Sequence, residues 1–190
     1  ILFQPEIRNF LQAIGRRQSG FSFINNIFNS RSGTESALQS IVTACSEMSV
    51  EKTGALIVIA QRSDLSDIIE GGITLDAKVS VPLLENIFFK NAPLHDGAAV
   101  VQNGRVVAAK CILPVTQSPV PKSYGTRHRA AIGITETSDA VVVVVSEETG
   151  GISVAFAGKI ERNVAPQNLA QTISRNFVRS DGARQDKREK

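Results

Sequence analysis

The chain has no tryptophan, one tyrosine and only 5% aromatic residues. Its core must therefore come from Ile, Val, Leu, Ala and Phe, and with 42% hydrophobic residues in 190 it can bury a sizeable interior without disulfides or metals. Cysteine is scarce as well. Cys45 and Cys111 lie far apart in apolar surroundings, neither has a CxxC partner or a Cys/His cluster, and both read as small buried residues of a reduced compartment. The longest apolar run is AVVVVV at 140–145, whereas a spanning helix needs about 20 apolar residues. No signal-peptide pattern is visible, and the first residue is Ile1 rather than Met, which suggests a processed protein or a piece of a longer one. The GxxxxGK[ST] and GxGxxG loops are missing, so a nucleotide would not be held in a P-loop or Rossmann manner. HExxH spacing and a GxSxG elbow are missing too, and two histidines are too few for a multi-ligand metal phosphohydrolase.

Charge of one sign is lacking on the body of the chain. The net charge is +3, yet residues 1–17 and 179–190 each carry +2, which leaves the segment between them at −1. A protein that binds nucleic acid needs a basic stripe on its folded surface, so that class is disfavoured. Basic ends could lie near an anionic membrane, although solvated termini explain them as well.

What is present reads as a mixed α/β (α+β) domain. Ile7, Phe10, Leu11 and Ile14 have helical spacing behind Pro5 and Glu6, and FSFINNIFNSRSG continues as a frayed helix or loop. Ser32 and Glu35 fit a capping box ahead of a helix that aligns Leu38, Ile41, Val42, Cys45 and Met48. TGALIVIAQ at 53–61 reads as a buried strand, and GGITLDAKVS as turns with at most a short strand. Ser80 caps a predicted helix bearing Leu83, Leu84, Ile87 and Phe88. Asn103-Gly104 joins two strands as a hairpin, TRHRAAIGITETS is helical, and AVVVVVSEETGGISVAFAG is a second hairpin turning near Thr149-Gly150-Gly151. A last helix aligns Leu169, Ile173 and Phe177, and the polar segment after it reads as disordered. The order implies one domain, residues 1–178, with a central mixed parallel and antiparallel sheet covered by helices, followed by a tail at 179–190.

Two stretches carry candidate chemistry. In PLHDGAAVV, Asp96 stands just before a strand, and Gly97 and Ala98 leave room for a ligand to approach the backbone. A carboxylate there can hold a divalent cation or take a proton from a hydroxyl. Taken alone, His95-Asp96-Gly97 reads more simply as a turn in which the aspartate satisfies its own backbone. In GTRHRAA, Arg127 and Arg129 flank His128 at a predicted helix N-terminus, a place that suits cations only when an anion is bound. A polyphosphate gripped by guanidinium forks fits, with Thr126 as cap or phosphate contact; a capped helix with solvated arginines fits equally. Glu147 and Glu148 in SEETG could bind a metal or a ribose hydroxyl, but two acids in a hairpin turn are also ordinary surface.

Together, HDGA at 95–98 and GTRHRAA at 125–131 resemble the two signature motifs, DGA and RHR, of the diadenylate cyclase domain family. The flanks agree: FQPEIRNFLQAIGR, TGALIVI at 53–59, AAKCILPVT at 108–116 and VSEETGGIS at 145–153. The resemblance spans roughly residues 3–178 and looks closest to the membrane-anchored branch, in which transmembrane helices precede a catalytic domain on the cytoplasmic face of the bacterial membrane; Ile1 would then sit just after them. Two departures are IAQRSDL, where the family often has an acid after the strand, and the longer FSFINNIFNSRSG connector.

The resemblance implies condensation of two ATP into cyclic di-AMP with release of two pyrophosphates, using Mg2+, Mn2+ or Co2+. It implies that Asp96 helps activate the ribose 3′-hydroxyl, that Gly97 lets the nucleotide pass close, and that Thr126, Arg127 and Arg129 hold the triphosphate with His128 supporting. Leu113 would lie against adenine, Ser146 and Glu148 near the ATP, and His95 near the metal. A two-fold symmetric product made from one ATP per domain implies a face-to-face homodimer, and protein regulators are possible partners. The alternative is a catalytically silent ATP-binding sensor or scaffold, which intact Asp96 and both arginines disfavour.

Overall fold

Five consecutive valines cannot lie on one face of anything but must be buried on both, and Val141–Val145 is indeed fully buried at the centre of a sheet. The computed structural model describes the backbone of residues 32–185 and the side chains of 34–177. The helix expected behind Pro5 and most of the FSFINNIFNSRSG segment lie outside them. In chain order the elements are α1 (Ser32–Glu51), β1 (Ala55–Ile59), α2 (Ser66–Glu70), β2 (Ile73–Lys78), α3 (Val81–Phe88), β3 (Ala98–Gln102), β4 (Arg105–Cys111), α4 (Thr126–Thr137), β5 (Val141–Val145), β6 (Ile152–Phe156), β7 (Lys159–Glu161) and α5 (Pro166–Gln185).

The seven strands form one sheet in the order β2-β4-β3-β1-β5-β6-β7. Among the described residues only the β1–β3 pair is parallel, and every other pair is antiparallel. Strand alternation sorts the side chains into two cores. Ile57, Ile59, Val141, Val143 and Val145 face α1, α3 and α5, against Ile41, Cys45, Met48, Leu84, Phe88, Leu169 and Ile173. Leu56, Val58, Val142 and Val144 point the other way, where α4 covers them with Ala130, Ala131 and Ile134. The result is three layers, with the sheet between α1, α3 and α5 on one side and α4 with the short α2 on the other.

Local signals account for most of this. Ser80 accepts a hydrogen bond from the Leu83 N–H at 3.4 Å, as expected of the α3 cap. Asn103 and Gly104 both take positive φ, 51° and 75°, which matches the twist of the β3–β4 hairpin. Three findings depart from the sequence reading. GGITLDAKVS supplies a six-residue edge strand, β2, because antiparallel pairing with β4 organises a segment whose own pattern is mostly exposed. β7 closes a third hairpin onto β6 across Ala157-Gly158, both at positive φ. The helical backbone of α5 continues to Gln185, past the expected boundary at 178, since its Arg, Ala and Gln residues are good helix formers regardless of their polarity.

Candidate functional site

The topology gathers one rim. The starts of β1 and β3, which are parallel, lie beside the ends of the antiparallel β4 and β5. The loops leaving that rim, together with the N-terminus of α4, enclose a cavity of about 750 Å3 and a smaller one of about 280 Å3 beside it. Asp96 and Arg127 both line the larger cavity, so the acidic and the cationic motif open onto one cleft. Thr126, Arg127 and Glu147 border both cavities.

The Asp96 loop is locked from below. The Ala92 carbonyl accepts the His95 backbone N–H at 3.2 Å and is also bonded to the His95 ring Nδ1 at 2.6 Å. A carbonyl can only accept, so Nδ1 carries a proton and Nε2 is left with the lone pair when the ring is neutral. Gly97 then turns with φ of +120°, in a region that favours glycine, and an added Cβ would come within 2.8 Å of the Lys110 backbone. That contact puts Asp96 at the mouth of the cleft. Its carboxylate has no hydrogen bond or ion pair among the described residues, so the turn in which it satisfies its own backbone does not form. Ala98 is fully buried in β3 and supports the loop without reaching the cavity.

Across the cleft, α4 begins at Thr126, with Gly125 as its N-cap and no side-chain cap. Thr126 is thus not the cap; its position inside the first turn leaves its hydroxyl, and the free N–H groups of that turn, at the junction of the two cavities. The Arg127 guanidinium lies against Gly54, where a Cβ would sit 2.8 Å from its Cζ, and pairs with Glu147 through Nη1 at 3.0 Å. His128 turns inward; its Nε2 is 3.4 Å from the Ser153 hydroxyl and its ring stacks at a tilt 5.8 Å from Tyr124. Burial, and then the nearby Arg162 and Arg127, hold the imidazole below the ordinary 6.5, with Glu148 opposing them. At neutral pH His128 is therefore a neutral supporting group. Arg129 projects from the exposed side of α4 and borders neither cavity; its carbonyl instead accepts from the Thr116 N–H at 3.1 Å.

The 112–118 loop runs over α4 because Gly133 has no side chain: an added Cβ would collide with the Pro114 carbonyl oxygen. This places Leu113, buried, beside Leu56, Cys111 and Ala130, which together make an apolar stretch of the larger cavity's lining. Burial pushes the Cys111 thiol up to about 11, so it serves as wall rather than nucleophile. Ser146 and Glu148 border the smaller cavity with His128, Thr149 and Arg162. Sequence reasoning missed Gly54, Gly133, the Arg127–Glu147 pair and Arg162, none of which has a local signal.

Among the described residues no cluster of three or more His, Cys, Asp or Glu could hold a metal ion by itself. Asp96 and His95, whose Nε2 is not used in the bond to Ala92, both line the larger cavity and offer one oxygen and one nitrogen donor that could hold part of a cation's shell. Among the described residues no helix is long and apolar enough to cross a membrane.

Known proteins match this arrangement. Residues 42–160 match the family model described as DisA bacterial checkpoint controller nucleotide-binding. The chain is 42% identical over 187 residues to the cyclic di-AMP synthase CdaA of Bacillus subtilis, covering 95% of this chain and 65% of that protein. The chain thus spans about two thirds of the length of this curated relative. The crystal structure of a double mutant of DacA from Staphylococcus aureus superposes with a TM-score of 0.73 at 44% identity, over 76% of this chain and 97% of that one. The crystal structure of a hypothetical membrane spanning protein from Bacillus cereus gives 0.65 at 48% identity, over 67% of this chain and 63% of that one. The motifs, the mixed sheet and these matches agree: the chain belongs to the DAC family, the DisA-type nucleotide-binding domains.

Proposed function

We propose that this domain is a diadenylate cyclase, which condenses two ATP into cyclic di-AMP and releases two pyrophosphates. The observation that carries the reading is the shared cleft: a carboxylate without a partner among the described residues, Asp96, and a guanidinium at a helix N-terminus, Arg127, line one cavity with apolar residues beside them. The adenine lies against the apolar lining at Leu113. Thr126, Arg127 and the free N–H groups of the first turn of α4 receive the phosphates, and Ser146 and Glu148 border their far end. Asp96 takes the proton as the 3′-oxygen bonds to an α-phosphorus and the bond to pyrophosphate breaks. Arg127 offsets the charge that develops on the phosphoryl and leaving oxygens. His128 keeps the floor of the phosphate site in shape, and Arg129 acts through the loop its carbonyl holds.

A divalent cation, Mg2+, Mn2+ or Co2+, would be held by Asp96 and His95 with phosphate oxygens and would supply further charge neutralisation. Each domain binds one ATP, so closing the ring requires a second copy face to face, with both clefts inward. The parent protein is anchored in the bacterial membrane with this domain on the cytoplasmic side, where protein regulators could reach it, in line with the Bacillus cereus relative described as a hypothetical membrane spanning protein. The catalytic domain runs into the polar end of α5, past the boundary expected at 178. Incubation with ATP and Mn2+ followed by mass spectrometry tests the reading. Cyclic di-AMP is expected; unchanged ATP, or ADP with phosphate, overturns it.

A further inference from the structure

The smaller cavity has a wall that the proposed chemistry leaves unused. Arg162, which follows β7, lines it beside His128, Ser146 and Glu148. Its guanidinium lies over the Tyr124 ring, 4.9 Å from the centroid, and among the described residues makes one long hydrogen bond, from Nη1 to the Ser123 hydroxyl at 3.4 Å. Its Nε is buried without a hydrogen-bond partner among the described residues. A guanidinium has five donors, and leaving a buried charged donor unmet costs free energy unless a ligand meets it. The aromatic face steadies the cation of a residue that lines the cavity.

Charge makes the case sharper. Arg127 is already paired with Glu147, and Glu148 borders the same cavity. Without Arg162 the side chains there would carry a net negative charge, which repels a phosphate tail. With it they are balanced, and an arriving anion meets a cation with spare donors.

We propose that Arg162 is the contact for the terminal phosphates, so that the smaller cavity makes the site require a triphosphate rather than a shorter nucleotide. The proposal rests on the nucleotide-site reading above and adds a specificity-determining residue to it. The larger cavity takes the nucleoside and α-phosphate, and the chain of phosphates passes Thr126 and Arg127 into the smaller one. Guanidinium geometry suits this task, because its planar fork can meet two phosphate oxygens at once.

Calorimetry on the wild type, Arg162→Gln and Arg162→Lys, each titrated with ATP, AMP and inorganic tripolyphosphate at fixed Mg2+, tests it. Arg162→Gln is expected to weaken ATP and tripolyphosphate at least tenfold while AMP stays within twofold, and Arg162→Lys to recover part of the loss. Equal weakening of ATP and AMP would assign Arg162 to the wall alone and overturn the proposal, as would unchanged ATP affinity. Should Arg162→Gln fold poorly, Arg162→Lys carries the test: lower ATP affinity with wild-type AMP affinity supports the assignment, and wild-type affinity for both refutes it. The cyclase reading fails separately. Tail-length discrimination that depends on Arg162, in a protein yielding no cyclic dinucleotide, would sustain this inference and remove that one.

Discussion

Alanine at position 54 should separate nucleotide binding from stability. Gly54 precedes β1 and does not have positive φ, so its backbone accepts alanine without strain. The new Cβ would stand 2.8 Å from the Arg127 Cζ, 2.9 Å from its Nη1 and 3.1 Å from the Glu147 Cβ. Ordinary contact begins at 3.4 Å, so the guanidinium must retreat by about 0.6 Å and Glu147 must shift as well. A hydrogen bond to a charged group is worth ~1.5–3 kcal/mol, and ~1.4 kcal/mol is tenfold in affinity. Loss of one aligned Arg127–phosphate bond therefore predicts ATP binding weaker by ~10–100-fold. Stability should hold, because Gly→Ala at a compatible φ gains ~0.4–1 kcal/mol through the unfolded chain, which offsets the cost of moving a flexible side chain. Titration calorimetry with ATP and thermal denaturation of Gly54→Ala read the two effects. Wild-type ATP affinity in a folded variant would refute the placement of Arg127 against Gly54 as the determinant of binding.

Asp96→Asn should cut cyclic dinucleotide formation by ~100-fold or more while ATP affinity stays within about threefold; wild-type turnover would remove Asp96 from proton transfer. Arg127→Ala should weaken ATP binding by more than tenfold, whereas Lys122→Ala, exposed and outside both cavities, should not, and calorimetry showing equal losses would contradict the phosphate assignment. Gly133→Ala would press on the Pro114 carbonyl, a backbone atom that cannot step aside, and should destabilise by ~1–3 kcal/mol in urea titration; an unchanged midpoint would mean the loop moves freely over α4. Glu85 on α3 is pushed up to about 7 from the ordinary 4.5, first by its hydrogen bond with Glu47, then by burial and by the like charge. Its stabilisation is full below 4.5 and is lost as pH rises through 7, so Glu85→Gln should flatten the fall in melting temperature between pH 5 and 8; parallel curves would count against the pair.

Signals confined to a few neighbouring residues were legible in the sequence. The Asn103-Gly104 turn, the Ser80 cap and the valine run each place their element without reference to distant parts. β2 and β7 were not legible in the same way, because their residues look like loop until β4 and β6 supply partners. The site divides along the same line. Asp96, Arg127 and Leu113 came from motif resemblance and do meet in one cleft. The self-satisfied turn at His95-Asp96-Gly97 did not materialise, since the Asp96 carboxylate has no partner among the described residues and the Ala92 carbonyl ties down His95 instead, and Gly125 rather than Thr126 is the N-cap. Gly54 and Glu147 became visible only in space, since their partner Arg127 lies far along the chain from Gly54 and across a strand from Glu147.

The rim on which the two cavities open draws its walls from β1, β2, β4, β5, α4 and the loop that leads into β3, segments that meet only when the sheet has assembled around them. No contiguous peptide carries the recognition surface, so occupancy and global folding are one linked equilibrium. Nucleotide at a hundredfold excess over its dissociation constant would hold the entire sheet together by about 2.7 kcal/mol, and unfolding of any wall would release it.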